Sequence, residues 1–254
     1  VKVLAIAFNT FRETIREKIL YNLLIFALVI IGASILLQEL TFAQQVKIVK
    51  DMCLASISIF GIIMAIFVGI TLVSREIERK SIYATLAKPV HRYQFLLGKY
   101  VGLLIILAVN VGVMFLGMAM VVYVIEGPIG PLMFWAVYFT FLELCLITSI
   151  ALLFSTFTTT TLSATFTLAL FVIGRMSGDI KYFGGRSSSA FVRKASEVLY
   201  YILPNLQNYN IRAQAVYNEP VGLDYILWVT AGCLLYSAAL IVLASIIFQR
   251  RDFK

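Results

Sequence analysis

Hydrophobic positions in this chain come in long unbroken runs, not in the alternation of a strand or the one-sided stripe of a surface helix. Six runs are long enough to cross a bilayer as helices: Ile19–Leu37, Met52–Val73, Tyr100–Ile125, Leu132–Phe154, Leu162–Gly178 and Tyr225–Phe248. A crossing takes about 20 apolar residues, because a helix rises ~1.5 Å per residue through a core ~30 Å thick. Strands do not suit these runs: strict alternation is missing, and an open sheet edge in lipid would leave backbone groups without partners. The expected fold class is all-α: a polytopic membrane protein with six transmembrane helices, forming a single transmembrane domain over residues 1–254. The fifth run is the shortest, and Arg175 sits near its end.

The polar breaks between runs carry their own patterns. Before the first run, Leu4, Phe8, Phe11, Ile15 and Ile19 follow helical spacing, while Arg12, Glu13, Arg16 and Glu17 fall away from that stripe. This predicts an N-terminal amphipathic helix lying in the membrane interface; a helix packed on the protein's own end is the alternative. No cleavable signal peptide is evident, so the first run is expected to remain a membrane helix. Between runs five and six, residues 179–224 open with GGRSSS at Gly184–Ser189. Ser188 or Ser189 is placed to cap a helix through Leu203, with Phe191, Ala195, Val198 and Ile202 on one face and Pro204 ending it. A helical outer loop, an amphipathic helix pair at the leaflet surface, is expected there. Ser155–Thr161 reads as a charge-free turn.

Composition agrees with this picture. The chain of 254 residues is 61% hydrophobic and 13% charged, against about 25% charged in soluble domains. The net charge of +8 would raise nucleic acid as a partner in a soluble protein. Here the basic residues flank apolar spans and no soluble basic face exists to carry phosphate contacts, so they speak to orientation. Lys and Arg number 13 on the face carrying both termini and the segment between runs two and three, against 8 on the other. Five of those 8 lie in the long loop and Arg175 at the end of the fifth run, so both termini and the 74–99 segment are expected in the cytoplasm. Cys53, Cys145 and Cys233 each sit inside an apolar run without CxxC spacing, as small buried hydrophobes do. With His91 the single histidine, no metal site is expected. Neither is a catalytic one: no cluster of nucleophile, base and metal ligand appears.

One polar stretch stands apart. Val73–Gly102 holds eight charged residues, six basic and two acidic, with His91 and Pro89. Arg75–Arg79 alternates in sign and can stay helical in water. Ile82, Tyr83, Leu86 and Ala87 supply apolar contact, and Lys88 is pushed extended by Pro89. A new helix begins near Arg92 and runs into the third span. The result is a short helix tied at both ends to spans, the geometry that passes work from a soluble partner into a membrane domain. A plain solvated hairpin with anchoring charges is the competing reading. Inside the spans, Glu143 lies mid-membrane, where a charge costs roughly 2.5–3.5 kcal/mol on the insertion scale for Asp, Lys and Arg. It is either part of a substrate pathway or an interhelical hydrogen-bond partner of Asn110 or a span-five threonine. The threonines from Thr158 onward bond their own backbone or line a pore. Gly98/Gly102 and Gly174/Gly178 permit close helix contact without naming a partner. The runner-up function at this point is an ATP-independent secondary transporter or channel, although no inverted repeat or pair of Pro-broken spans is seen.

The run EIERKSIYATLAKPVHRYQFLLGKYVG, Glu76–Gly102, resembles the segment after the second span of ABC-2-type transporter permeases, in the branch that includes the permease for nitrous oxide reductase maturation. Glu76, Glu78, Ser81, Ile82, Leu86, Lys88, Pro89, Val90, Phe95, Gly98 and Lys99 carry the likeness, and the chain's start NTFRETIREKILYNLL and end FQRRDFK share it. The resemblance implies the permease subunit of an ATP-driven exporter in a bacterial-type cytoplasmic (inner) membrane, most simply a homodimer with two copies of a cytoplasmic ABC ATPase. It implies a coupling helix between spans two and three that docks on that ATPase. It places that role on Glu76, Glu78, Arg79, Ile82, Tyr83, Lys88 and Pro89. No cofactor is expected on this chain: Tyr93 and Tyr100 stand where a phosphate-cradling loop would need Gly and Ser/Thr, so ATP and Mg belong to the partner. Membrane lipids surround the spans, and a periplasmic accessory protein remains open. The candidate substrate-pathway residues are Glu143 and Asn110.

Overall fold

A computed structural model describes residues 2–38, 45–78, 92–186 and 189–250. Its helices are α1 (Lys2–Thr14), α2 (Lys18–Gln38), α3 (Gln45–Glu78), α4 (Arg92–Ile125), α5 (Pro131–Ser155), α6 (Thr160–Arg175), α7 (Ser177–Gly185), α8 (Ala190–Ile202), α9 (Arg212–Tyr217) and α10 (Leu223–Arg250). A 3₁₀ turn occupies Leu206–Tyr209, and no strand occurs among the described residues. Five helices (α2, α3, α4, α5 and α10) are long and apolar enough to cross a membrane; α6 and α7, bent by 56° at Met176, make a sixth if taken as one span.

Burial sorts these spans. In α5, 78% of the most apolar window is buried, and in α3 67%, against 22% in α2 and 33% in α10. Thus α3 and α5 form the centre and the others wrap it. Sequence explains the choice. Gly61, Ala65 and Gly69 repeat every fourth residue on α3 and face α5, where a Cβ on Gly69 would come 3.0 Å from Ala151 Cβ. Small residues let two backbones approach, which is how helices gain packing energy in lipid. The buried hydroxyls of α5 do not break the apolar contact. Thr148 donates to Leu144 O at 2.7 Å, and Ser149 to Leu146 O at 2.7 Å, so each is satisfied within its own helix.

Charges and aromatics mark two ends of the bundle. At one, which we term the terminal end, α1, the start of α4 and the end of α10 meet: Lys99 faces Glu13 and Phe95 stacks on Phe248. At the other, the loop end, α3 begins, α4 passes to α5 through Gly127 at φ +100°, and residues 176–186 and 189–222 cover the helices. That covering segment folds largely as its sequence predicts. Ser189 precedes α8, and Leu203 and Pro204 follow it. Phe191 is 81% exposed and Val198 is exposed as well, while Ser196 is buried on Gly184 of α7. The hairpin packs through small residues and leaves its apolar stripe outward.

Candidate functional site

The terminal end is built around a glycine seat. A Cβ on Gly98 would lie 2.7 Å from Ile6 Cβ, and one on Gly102 would lie 2.6 Å from Thr10 Cβ and 2.7 Å from Ala7 O. The bare backbone of α4 therefore receives α1 directly, and the GxxxG pair read in the sequence serves a contact within this chain. At 3.6 residues per turn, α1 then has three faces roughly 120° apart. Val3, Ile6, Ala7 and Thr10 meet α4, and Thr14 lies beside Phe67 and Val68 of α3; Leu4 (68% exposed) and Phe8 (66%) form an apolar face; Lys2, Asn9 and Arg12 form a polar one. The apolar stripe read in the sequence is divided: Phe11 and Ile15 pack against the core, while Leu4, Phe8 and Ile19 remain outward.

Next to the seat, Lys99 is 2% exposed, its Nζ 3.5 Å from Glu13 Oε2 and 5.8 Å from the Phe95 ring. Arg92, first residue of α4, donates to Phe248 O at 2.9 Å and Gln249 O at 3.2 Å. A guanidinium there satisfies carbonyls that a helix end leaves open. The start of α4 is thus tied to both α1 and α10. The predicted coupling residues fall around it unevenly. Glu76 and Glu78 lie in the last turns of α3, while Arg79, Ile82, Tyr83, Lys88 and Pro89 lie outside the described residues. α3 runs five residues beyond the predicted end of its span at Val73, and α4 starts eight residues before Tyr100. Both helices continue past their apolar stretches toward the 79–91 segment.

The loop end carries the other candidate. Glu143, 1% exposed, accepts from Arg175 Nη2 at 3.0 Å through Oε2; Arg175, 25% exposed, also reaches Ser58 Oγ at 3.4 Å. Glu143 is therefore paired across helices, but with Arg175 and not with Asn110 or a threonine. Asn110 donates to Ile106 O of its own helix at 2.8 Å and does not line the cavity around Glu143. An ion pair wins because a carboxylate in low dielectric gains more from a full charge than from an amide. Arg175 is free to reach inward because α6 ends with it. The bend at Met176 is filled by the following chain: Ser177 Oγ donates to Asn205 Oδ1 at 3.0 Å, and Gly174 lets Pro204 O approach, where a Cβ would sit 2.8 Å away. The second GxxxG pair, like the first, serves contacts inside the chain, since Gly178 faces Gln207.

Around the pair lies a cavity of about 270 Å³ bounded by α3, α5, α6 and residues 209–212. Thr140 and Tyr209 line it with Glu143, Arg175 and Ser58, and Leu54, Ile62 and Phe171 add apolar wall. Burial pushes the Tyr209 phenol up from its ordinary value, so it stays a neutral hydroxyl. At the rim Arg212 Nε meets Asp51 Oδ1 at 2.7 Å, and buried Lys50 pairs with Glu126. Among the described residues no group of three or more His, Cys, Asp or Glu is gathered as a metal site would require. Sequence reasoning missed Arg175 as a partner. The clue was available: it is a cation at the end of an apolar run, in a chain whose fourth span holds a lone carboxylate.

No curated protein matches the chain. A family model described as ABC-2 family transporter protein matches residues 4–253, nearly the whole length. That match covers the α1 seat, the extended α3 and α4, and every span, so this multi-pass membrane protein belongs to the ABC-2 transporter family.

Proposed function

We propose that the chain is the permease subunit of an ATP-driven exporter, working as a homodimer in a bacterial-type inner membrane. Two copies of a separate cytoplasmic ABC ATPase would bind ATP and Mg and hydrolyse the nucleotide. The observation that carries the reading is the continuation of α3 to Glu78 and of α4 from Arg92, past the apolar limits of both spans. A soluble partner gripping residues 79–91 would then hold two stiff levers. One of them, α4, is bolted to α1 by the glycine seat and to α10 by Arg92, so a push would move several helices together. The excess of Lys and Arg at the terminal end supports its cytoplasmic placement. Glu76, Glu78, Arg79, Ile82, Tyr83, Lys88 and Pro89 form the docking set under this proposal. Glu143 belongs to the substrate side of the machine; Asn110, satisfied within its own helix, serves packing.

The test is co-purification. Glu78→Ala and Tyr83→Ala should lower recovery of the partner ATPase, or uncouple its hydrolysis, while the permease still inserts normally. Undiminished recovery together with undiminished permease-stimulated hydrolysis would remove the docking role. A permease that moves its substrate alone, without any ATPase, would favour a channel or secondary transporter.

A further inference from the structure

Glu143 spends one carboxylate oxygen on Arg175. Its second, Oε1, is buried and has no hydrogen-bond partner among the described residues, yet the residue lines the 270 Å³ cavity. A buried charged acceptor left in this state is costly, so the cavity favours an occupant that donates to it. Arg175 makes the complementary demand. Among the described residues only its Nη2 finds acceptors, Glu143 and Ser58, and a guanidinium has five N–H donors in a fixed fork. The occupant must therefore donate and accept at adjacent atoms.

Charge narrows the class. Glu143 and Arg175 cancel, as do Asp51 and Arg212 at the rim. A cation entering would face two guanidinium groups. An anion would face the free lone pairs of Oε1. A neutral group with a hydroxyl on each of two neighbouring carbons meets both needs, one O–H donating to Oε1 and the next oxygen accepting from Arg175. The volume lies just under the ~300–1,000 Å³ of sites for drug-sized ligands, so one ring or one headgroup fits, with its C–H side against Leu54, Ile62 and Phe171. We infer that the cavity between α3, α5 and α6 binds a neutral vicinal diol, of the kind presented by a sugar ring or a glycerol-type headgroup, and holds it on Glu143 and Arg175. The export reading enters only in saying that this diol arrives from, or leaves to, the non-cytoplasmic side.

The experiment uses the purified full chain in phosphatidylcholine nanodiscs, titrated with methyl β-glucoside and observed by saturation-transfer NMR. Saturable binding is expected, weakened by about tenfold or more in Glu143→Ala and Arg175→Met, each of which removes a charge-assisted hydrogen bond, and unchanged in Glu13→Gln at the terminal end. Should either variant fold poorly, Ser58→Leu fills the cavity from α3 with both charges in place and should also abolish binding. Nanodiscs doped with a glucosyl diacylglycerol separate the sources: competition with the free glucoside means a lipid headgroup, and its absence means a soluble diol; either supports the site. Absence of saturable binding in the wild type means hydration alone and overturns the proposal. So does binding indifferent to the variants, or displacement of the glucoside by equal phosphocholine or choline. ATPase recovery measured on the same preparations keeps the two readings apart: a wild-type chain that recovers the ATPase but binds no glucoside sinks the site alone, and one that binds the glucoside but recovers no ATPase sinks the export reading alone.

Discussion

The two ends of this bundle are held together by different physics. At the terminal end, contact is made by what is missing: Gly98 and Gly102 have no side chains, and α1 lies on the bare helix. The charged pair there, Lys99 with Glu13, spans 3.5 Å with its carboxylate half exposed, so it adds little beside the packing. At the loop end, the joint is a close ion pair beside a cavity and a 56° bend. Close packing has one arrangement and resists deformation. Polar contacts beside free volume can be exchanged for contacts to a ligand. A machine that takes a push at one end and changes access at the other needs both materials, in that order.

That contrast is broken most forcefully at the ion pair. Arg175→Met strands a buried carboxylate and should lower unfolding free energy by about 3 kcal/mol, the low end for a split buried pair because Arg175 is partly exposed. Glu143→Leu combined with Arg175→Met should recover most of the loss, since apolar replacement of both partners is close to neutral. Thermal unfolding in detergent checks both; a double variant as weak as the single would show that the pair is not the source. At the terminal end, Gly102→Leu must displace Thr10 and the Ala7 carbonyl. We expect about 1–3 kcal/mol of destabilisation and release of α1 to limited proteolysis, with the loop end unaffected. Glu13→Gln should cost under about 1 kcal/mol, and Asp51→Asn at the exposed rim about 0.5 kcal/mol or less. If Glu13→Gln matched Gly102→Leu in effect, charge and not packing would hold α1.

How much of this was legible beforehand follows from what each feature depends on. Spans one, two, three, four and six were readable because a run's length against the bilayer is a local property, and α2 and α5 match their predicted runs within a residue at each end. The end of α8 was readable because Pro204 stops a helix locally; its start follows Ser189, which makes no side-chain cap there. The helix break at Met176 was not, since no proline marks it; it depends on Pro204, Asn205 and Gln207 folding back onto Gly174, Ser177 and Gly178. The partner of Glu143 was missed for a related reason. Arg175 is 32 residues away, and only the end of α6 brings it inward. The glycine pairs were visible as a spacing, but spacing names no partner. Gly61–Ala65–Gly69 was the clearer pattern, and it sits in the central contact between α3 and α5.

The seat on α4 also dictates an order of manufacture. Glu13 and Lys99 are 86 residues apart in the chain, so α1 is made well before the surface it will rest on exists. Two further spans must enter the bilayer first. Through that interval the newborn helix has no seat, and under the interfacial reading of its outward Leu4 and Phe8 the boundary between headgroups and acyl chains would hold it until the third span arrives.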